Sequence, residues 1–173
     1  MISNIVIVGI DRRLSRQVAE IISEQLGMHF VDTIELFEFD HIPRSLADIL
    51  ESQGEGYFRK KEKGLSGYVS EFENTVIHAE SGCVNENDNI ETLKQNAVVV
   101  YIKKYATSTK RILGEISYEN SYLKRFFNIS LEKIKARQNL WIESANIVVD
   151  AKNYSALKVS ADSIRAIENY FLK

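Results

Sequence analysis

The residues best placed to do chemistry stand at the first turn of the chain. Ile5-Val6-Ile7-Val8-Gly9 is an apolar, β-rich run closing on a glycine, and Ile10 to Gln17 leads into a helix-like segment. Strand, turn and helix in that order make a phosphate-binding layout. A working version reads G-x-x-x-x-G-K-[ST]. Its glycines let backbone N–H groups surround phosphate, its lysine reaches the outer phosphates, and its hydroxyl holds Mg²⁺. Gly9 is present here, but Leu14, Ser15 and Arg16 stand where the second glycine, the lysine and the hydroxyl belong. Two readings follow: a phosphate loop that has lost its chemistry, or an ordinary strand–helix turn. Arg12, Arg13 and Arg16 offer either an anion site at the helix N-terminus or an exposed charged turn, since cations there oppose the helix dipole. His29 and His78 read as ordinary residues on or beside strands and His41 lies in a loop; no spacing pairs them as metal ligands. Cys83 is either a reactive thiol or a small, partly buried residue.

Those residues need a frame. The chain has 173 residues, 45% of them apolar and 27% charged, with a net charge of −2. This predicts one globular domain over 1–173, with no general call for nucleic acid or a membrane as partner. Cys83 is the only cysteine, so no intrachain disulfide forms, and a reducing cytoplasm is expected. Strands are predicted at Ile5–Val8, Met28–Asp32, Asn74–Ala79, Ala97–Ile102 and Ala145–Asp150. Helices are predicted over Ser15–Leu26 (closing at Gly27), Thr33–Asp40, from Ser45, in a long charged stretch after Gly54, and over Asn87–Lys94, Ser108–Leu113, Leu131–Trp141 and Val159–Leu172. Alternation of this kind predicts a three-layer α/β fold: a five-stranded parallel sheet with helices on both faces.

In that order, several stretches resemble the shikimate kinase family, a branch of the P-loop kinase-like fold. Gly54-Glu55-Gly56-Tyr57-Phe58-Arg59-Lys60-Lys61-Glu62 is similar to its G-E-x-x-F-R-x-x-E, and Phe30-Val31-Asp32-Thr33-Ile34 to its F-x-D-x-D. Val76 to Val84 is similar to its strand followed by G-G-G. Ala136 to Trp141 with Ala145 to Asp150 is similar to its R-x-x-x-Y-x-x-x-A-D-x-x-V-D ending. The resemblance implies that Arg59 and Arg137 bind a substrate carboxylate, that Gly82 lets a small ring approach, and that Asp32 is the first, metal-associated aspartate of its pair. Gly9 and Arg16 fall in the nucleotide turn. Ile34 replaces the aspartate implied as base, Glu80 and Ser81 replace two glycines, and Pro43, the only proline, rules out the lid's R-P-L. Tyr118 to Tyr122 stands in the lid region, beside Phe126-Phe127.

The substitutions lead to the expectation of a family member with a degenerate nucleotide turn, a pseudoenzyme needing no cofactor, neither ATP nor Mg²⁺. It is expected to bind shikimate, a related hydroxy acid or another small anion through Arg59, Gly82, Arg137 and Asp32. The alternatives are a scaffold for a protein partner, and a residual phosphotransferase in which Arg16 supplies the lysine's charge. Arg59 and Arg137 have a structural reading as well, as partners of Glu62, Glu55 or Asp32. Asp32 has one as a helix cap, and Trp141 as core.

Overall fold

The computed structural model describes residues 3–85, 87–104, 131–152 and 154–172. Strands β1 (Asn4–Gly9), β2 (His29–Asp32), β3 (Thr75–His78), β4 (Ala97–Lys103) and β5 (Ile147–Asp150) form one parallel sheet in the order β2-β3-β1-β4-β5. The described helices are α1 (Arg12–Leu26), α2 (Thr33–Phe39), α3 (Leu46–Ser70), α4 (Asn87–Lys94), α5 (Leu131–Ser144) and α6 (Ala156–Phe171), with a 3₁₀ turn over Ser81–Asn85. The predicted three-layer α/β architecture is the one observed.

β1 is buried along its whole length between β3 and β4. Its side chains alternate between two cores, as a period of two requires. Val6 and Val8 join Ile77, Val99, Ile134 and Trp141 on one face. Ile5 and Ile7 join Val18, Ile22, Val98 and Val159 on the other. A smaller cluster of Phe37, Ile49, Leu50 and Phe58 ties α2 to α3.

Several element ends shift by a few residues from the pattern-based expectation, and three of the differences among the helices have a local reason. α1 begins at Arg12 rather than Ser15, because the Asp11 carboxylate accepts the Leu14 N–H at 3.0 Å and caps the first turn. α6 begins at Ala156 rather than Val159, capped by the Ser155 hydroxyl. The helix expected from Ser45 and the charged stretch after it form one element, bent at Gly54 (φ 78°, ψ 171°). Only glycine takes that backbone conformation readily. The predicted helix over Ser108–Leu113, the Tyr118–Tyr122 segment and Phe126-Phe127 lie outside the described residues. Among the described residues, no helix is long and apolar enough to cross a membrane.

This topology sets the site. β1 is flanked by β3 and β4, and the chain turns away from the carboxyl ends of β1, β2 and β3 at Gly9, Asp32 and His78. Crevices at such a reversal of strand order are where open parallel sheets take ligands.

Candidate functional site

Two clusters lie at the carboxyl ends of these strands. In the first, the sequence's separate candidates become one network around Asp32. Its side chain is buried and caps α2, with Oδ1 accepting the N–H groups of Ile34 and Glu35 at 2.9 and 3.2 Å. Arg12 Nη2 donates to both carboxylate oxygens at 2.8 Å, and Arg16 Nη1 lies 3.4 Å from Oδ2. His78, from β3, reaches Oδ2 through Nδ1 at 2.7 Å, and its Nε2 lies 2.9 Å from the Ser15 hydroxyl. Burial lowers the pKa of His78, with Asp32 acting in opposition. The neutral ring therefore donates from Nδ1 to Asp32 and accepts the Ser15 O–H at Nε2. Burial would raise Asp32, but the His78 hydrogen bond and the Arg12 charge outweigh it and bring its pKa down to about 2.

The order Ser15–His78–Asp32 matches the connectivity of a hydrolytic triad. Ser15 is 0% exposed, His78 1% and Asp32 2%, so a substrate carbonyl has no access to the hydroxyl and the relay serves the fold. Sequence reading gave His78 no partner. The one available signal was a polar ring inside an apolar strand, which a buried site obliges to find a hydrogen bond.

The rest of the turn is also engaged. Arg16 pairs with Glu20 at 2.9 Å and with Glu35, besides Asp32. Lys104 pairs with Asp11. The helix N-terminus thus carries the Asp11 carboxylate rather than an open row of N–H donors. Gly9 is closely packed: a Cβ there would lie 3.0 Å from the Ser15 Cβ and 3.1 Å from the Ile102 carbonyl oxygen.

The second cluster lies across β3. Arg59 from α3 lies beside Gly82 of the 3₁₀ turn, and Arg137 from α5 is near enough to act on the two carboxylates that stand there, Glu62 and Glu80. Arg59 Nη1 donates to Glu62 at 2.9 and 2.8 Å and lies 3.4 Å from Glu80 Oε2; its Nε lies 3.4 Å from Glu55. Glu80 Oε2 accepts the Gly82 N–H at 2.6 Å, and Oε1 accepts the Ser81 hydroxyl at 3.1 Å. A Cβ on Gly82 would stand 2.5 Å from Glu80 Oε2 and 2.6 Å from Arg59 Nη2. The space that Gly82 leaves open is therefore taken by this ion pair. Trp141 lies in the core, and its Nε1–H donates to the Ser81 carbonyl at 2.9 Å, fixing the turn that carries Glu80. Cys83 is buried beneath, and burial pushes its thiol well above its usual pKa, with Glu62 and Glu80 acting in the same direction. It is the small buried residue, not the reactive thiol.

Burial and the neighbouring Glu80 raise Glu62 to about 7, against the pull of Arg59. Burial would raise Glu80 too, but Arg59, Arg137 and the Gly82 N–H hold it below its usual value. An acid with a raised folded-state pKa adds stability that is full below its unfolded value and lost as pH rises through about 7. Wild type is accordingly expected to lose stability relative to Glu62→Gln as pH rises from about 4.5 to about 7. Paired urea titrations across that range check this, and parallel pH dependences would refute it.

A protein-family model described as "Shikimate kinase" matches residues 16–168. A shikimate kinase of Symbiobacterium thermophilum is 34% identical over 99 residues, 57% of this chain and 56% of that protein. Here the match spans little more than half of the relative's length. A shikimate kinase of Dehalococcoides mccartyi is 25% identical over 170 residues, 96% of each chain. Among solved structures, the shikimate kinase of Acinetobacter baumannii in complex with shikimate superposes with a TM-score of 0.83, covering 100% of this chain and 97% of that one. At 21% identity, that likeness is one of fold.

The family overturns one expectation. Shikimate kinases use ATP and Mg²⁺, so the expectation of no cofactor is withdrawn. The residues present do not reproduce the phosphate-binding set described above. Ser15 is buried on His78, Arg16 is paired with carboxylates and Asp11 caps the helix.

Proposed function

This chain belongs to the shikimate kinase family, and from that premise we propose that it binds a small hydroxylated ring compound related to shikimate while having lost efficient phosphoryl transfer to it. The observation that carries the reading is Ser15. It stands where the family's lysine falls, and it is locked onto His78 and Asp32. Phosphoryl transfer rests on positioning and on neutralising charge spread over phosphate oxygens. A neutral buried hydroxyl supplies none of that charge, and Arg16, the nearest substitute, is spent on Glu20, Asp32 and Glu35. Removing one such stabilising group costs on the order of 10²–10³ in rate. Ile34, at the place of the implied base, cannot accept a proton.

The ligand half of the reading is supported by the gathering of Arg59, Gly82 and Arg137 on three different elements. Hydroxyl groups both donate and accept, so a hydroxylated ring can address guanidinium and carboxylate together. MgATP is the family's phosphoryl donor and belongs in every test.

Restoring the lysine alone is expected to fail. Ser15→Lys places a long cation in a filled space beside Arg12 and Arg16. A loss of about 3 kcal/mol in stability is expected, with no gain in shikimate phosphorylation. A coupled ADP assay and a urea melt on the same preparation check both halves, and a clear gain in transfer would contradict the reading.

A further inference from the structure

The site around Arg59 carries an inference that rests on this ligand reading and narrows it. We infer that Glu80 sets the specificity of the site, so that its ligand is an uncharged, hydroxyl-rich ring in preference to the corresponding carboxylate. Two arginines at one place would ordinarily call for an anion. Here the anion is already supplied by the protein. Glu80 is held by the Gly82 N–H at 2.6 Å and the Ser81 hydroxyl at 3.1 Å, with Arg59 Nη1 at 3.4 Å. Glu62 places a second carboxylate on the same Arg59 nitrogen, at 2.9 and 2.8 Å. Arg137, itself buried, acts on both carboxylates. Among the described residues, Arg59 thus already meets carboxylates of the protein itself.

An incoming carboxylate has two routes, and both are opposed. It can approach Arg59 with Glu80 in place and meet like charge. Or it can displace Glu80, leaving the Gly82 N–H and the Ser81 hydroxyl to find new partners. A neutral ring meets neither obstacle. Its hydroxyls can donate to Glu80 and accept from the arginines without disturbing the pairs. Gly82 fits this account, because the room left by its missing side chain is filled by Glu80 and Arg59 themselves. Trp141 fits it too, since its indole N–H pins the Ser81 carbonyl within the turn that aims Glu80.

A matched pair of probes tests this: shikimate and its methyl ester, which share a ring and differ in charge. Calorimetric titration of the full chain at pH 7.5 is expected to show the ester binding at least tenfold more tightly than the acid. In Glu80→Gln, which keeps the shape and removes the charge, the acid is expected to bind at least as tightly as the ester. Equal affinities in wild type, or an unchanged ester preference in a folded Glu80→Gln, would overturn the assignment. The wild-type comparison decides it alone if the variant does not fold. Failure of both probes to bind either protein would instead remove the ligand reading itself, and this inference with it.

Discussion

Asp32→Ala is expected to cost the protein about 3 kcal/mol, largely because one buried carboxylate serves so many donors. It caps α2 through two backbone N–H groups, a contribution of about 1 kcal/mol. It is also the acceptor for His78 Nδ1–H, and leaving that donor buried and unpaired costs about 1–3 kcal/mol. Arg12, whose side chain is 42% exposed, can turn to water, so its share is small. The same residue sets an acid limit. Its pKa is about 2 in the folded chain, below the unfolded value near 3.9. The stability it contributes is therefore complete above about pH 4 and disappears as pH falls through about 2. Urea unfolding at pH 7, and acid unfolding of wild type and variant, check both statements. A loss below about 1 kcal/mol would mean that the relay contributes little beyond the cap.

Trp141→Ala is expected to be the more damaging change, at about 3–5 kcal/mol. The indole is fully buried in the core beneath β1 and β4, lies parallel to Tyr101 with ring centroids 6.2 Å apart, and anchors the Ser81 carbonyl. Trp141→Phe separates the two contributions. It keeps most of the apolar volume, loses the N–H, and is expected to cost about 1–2 kcal/mol. As Trp141 is the only tryptophan, the variants are followed by circular dichroism rather than fluorescence. A loss below about 1 kcal/mol for Trp141→Ala would show that the core collapses around the gap and that the turn does not depend on this residue.

The frame of this molecule was legible because burial imposes simple patterns. The β-branched runs at Ile5–Val8 and Ala97–Ile102 had no other use than strands enclosed on both faces. What escaped was contact between distant residues. His78 meets Asp32 and Ser15 across 46 and 63 positions of sequence, and no local spacing encodes that. Asp11 holds no named position in the phosphate-loop pattern, yet its cap is what moves the start of α1. The gathering of Arg59, Gly82 and Arg137 could be carried over from a family pattern. The direction of Glu80 could not, since it follows from where α3 and the 3₁₀ turn approach each other. For Arg59 the ion-pair reading is the one observed, with Glu55, Glu62 and Glu80 as its partners.

The network around Asp32 and the cluster around Arg59 also explain each other's place in the fold. β3 passes between them, with His78 turned to one side and Glu80 leading into the other. Around Asp32, Arg12 and Arg16 are held in internal ion pairs. Around Arg59, the protein's own carboxylates meet the guanidinium.

The most direct test is shikimate-dependent formation of ADP by the purified chain with saturating MgATP, measured on the protein also titrated with the shikimate ester. The account predicts binding of the ester with no shikimate-dependent ADP release above background. ADP formed in step with phosphorylated shikimate, at a rate typical of enzymes (about 1–10³ per second), would contradict it and make Ser15 part of a working nucleotide site.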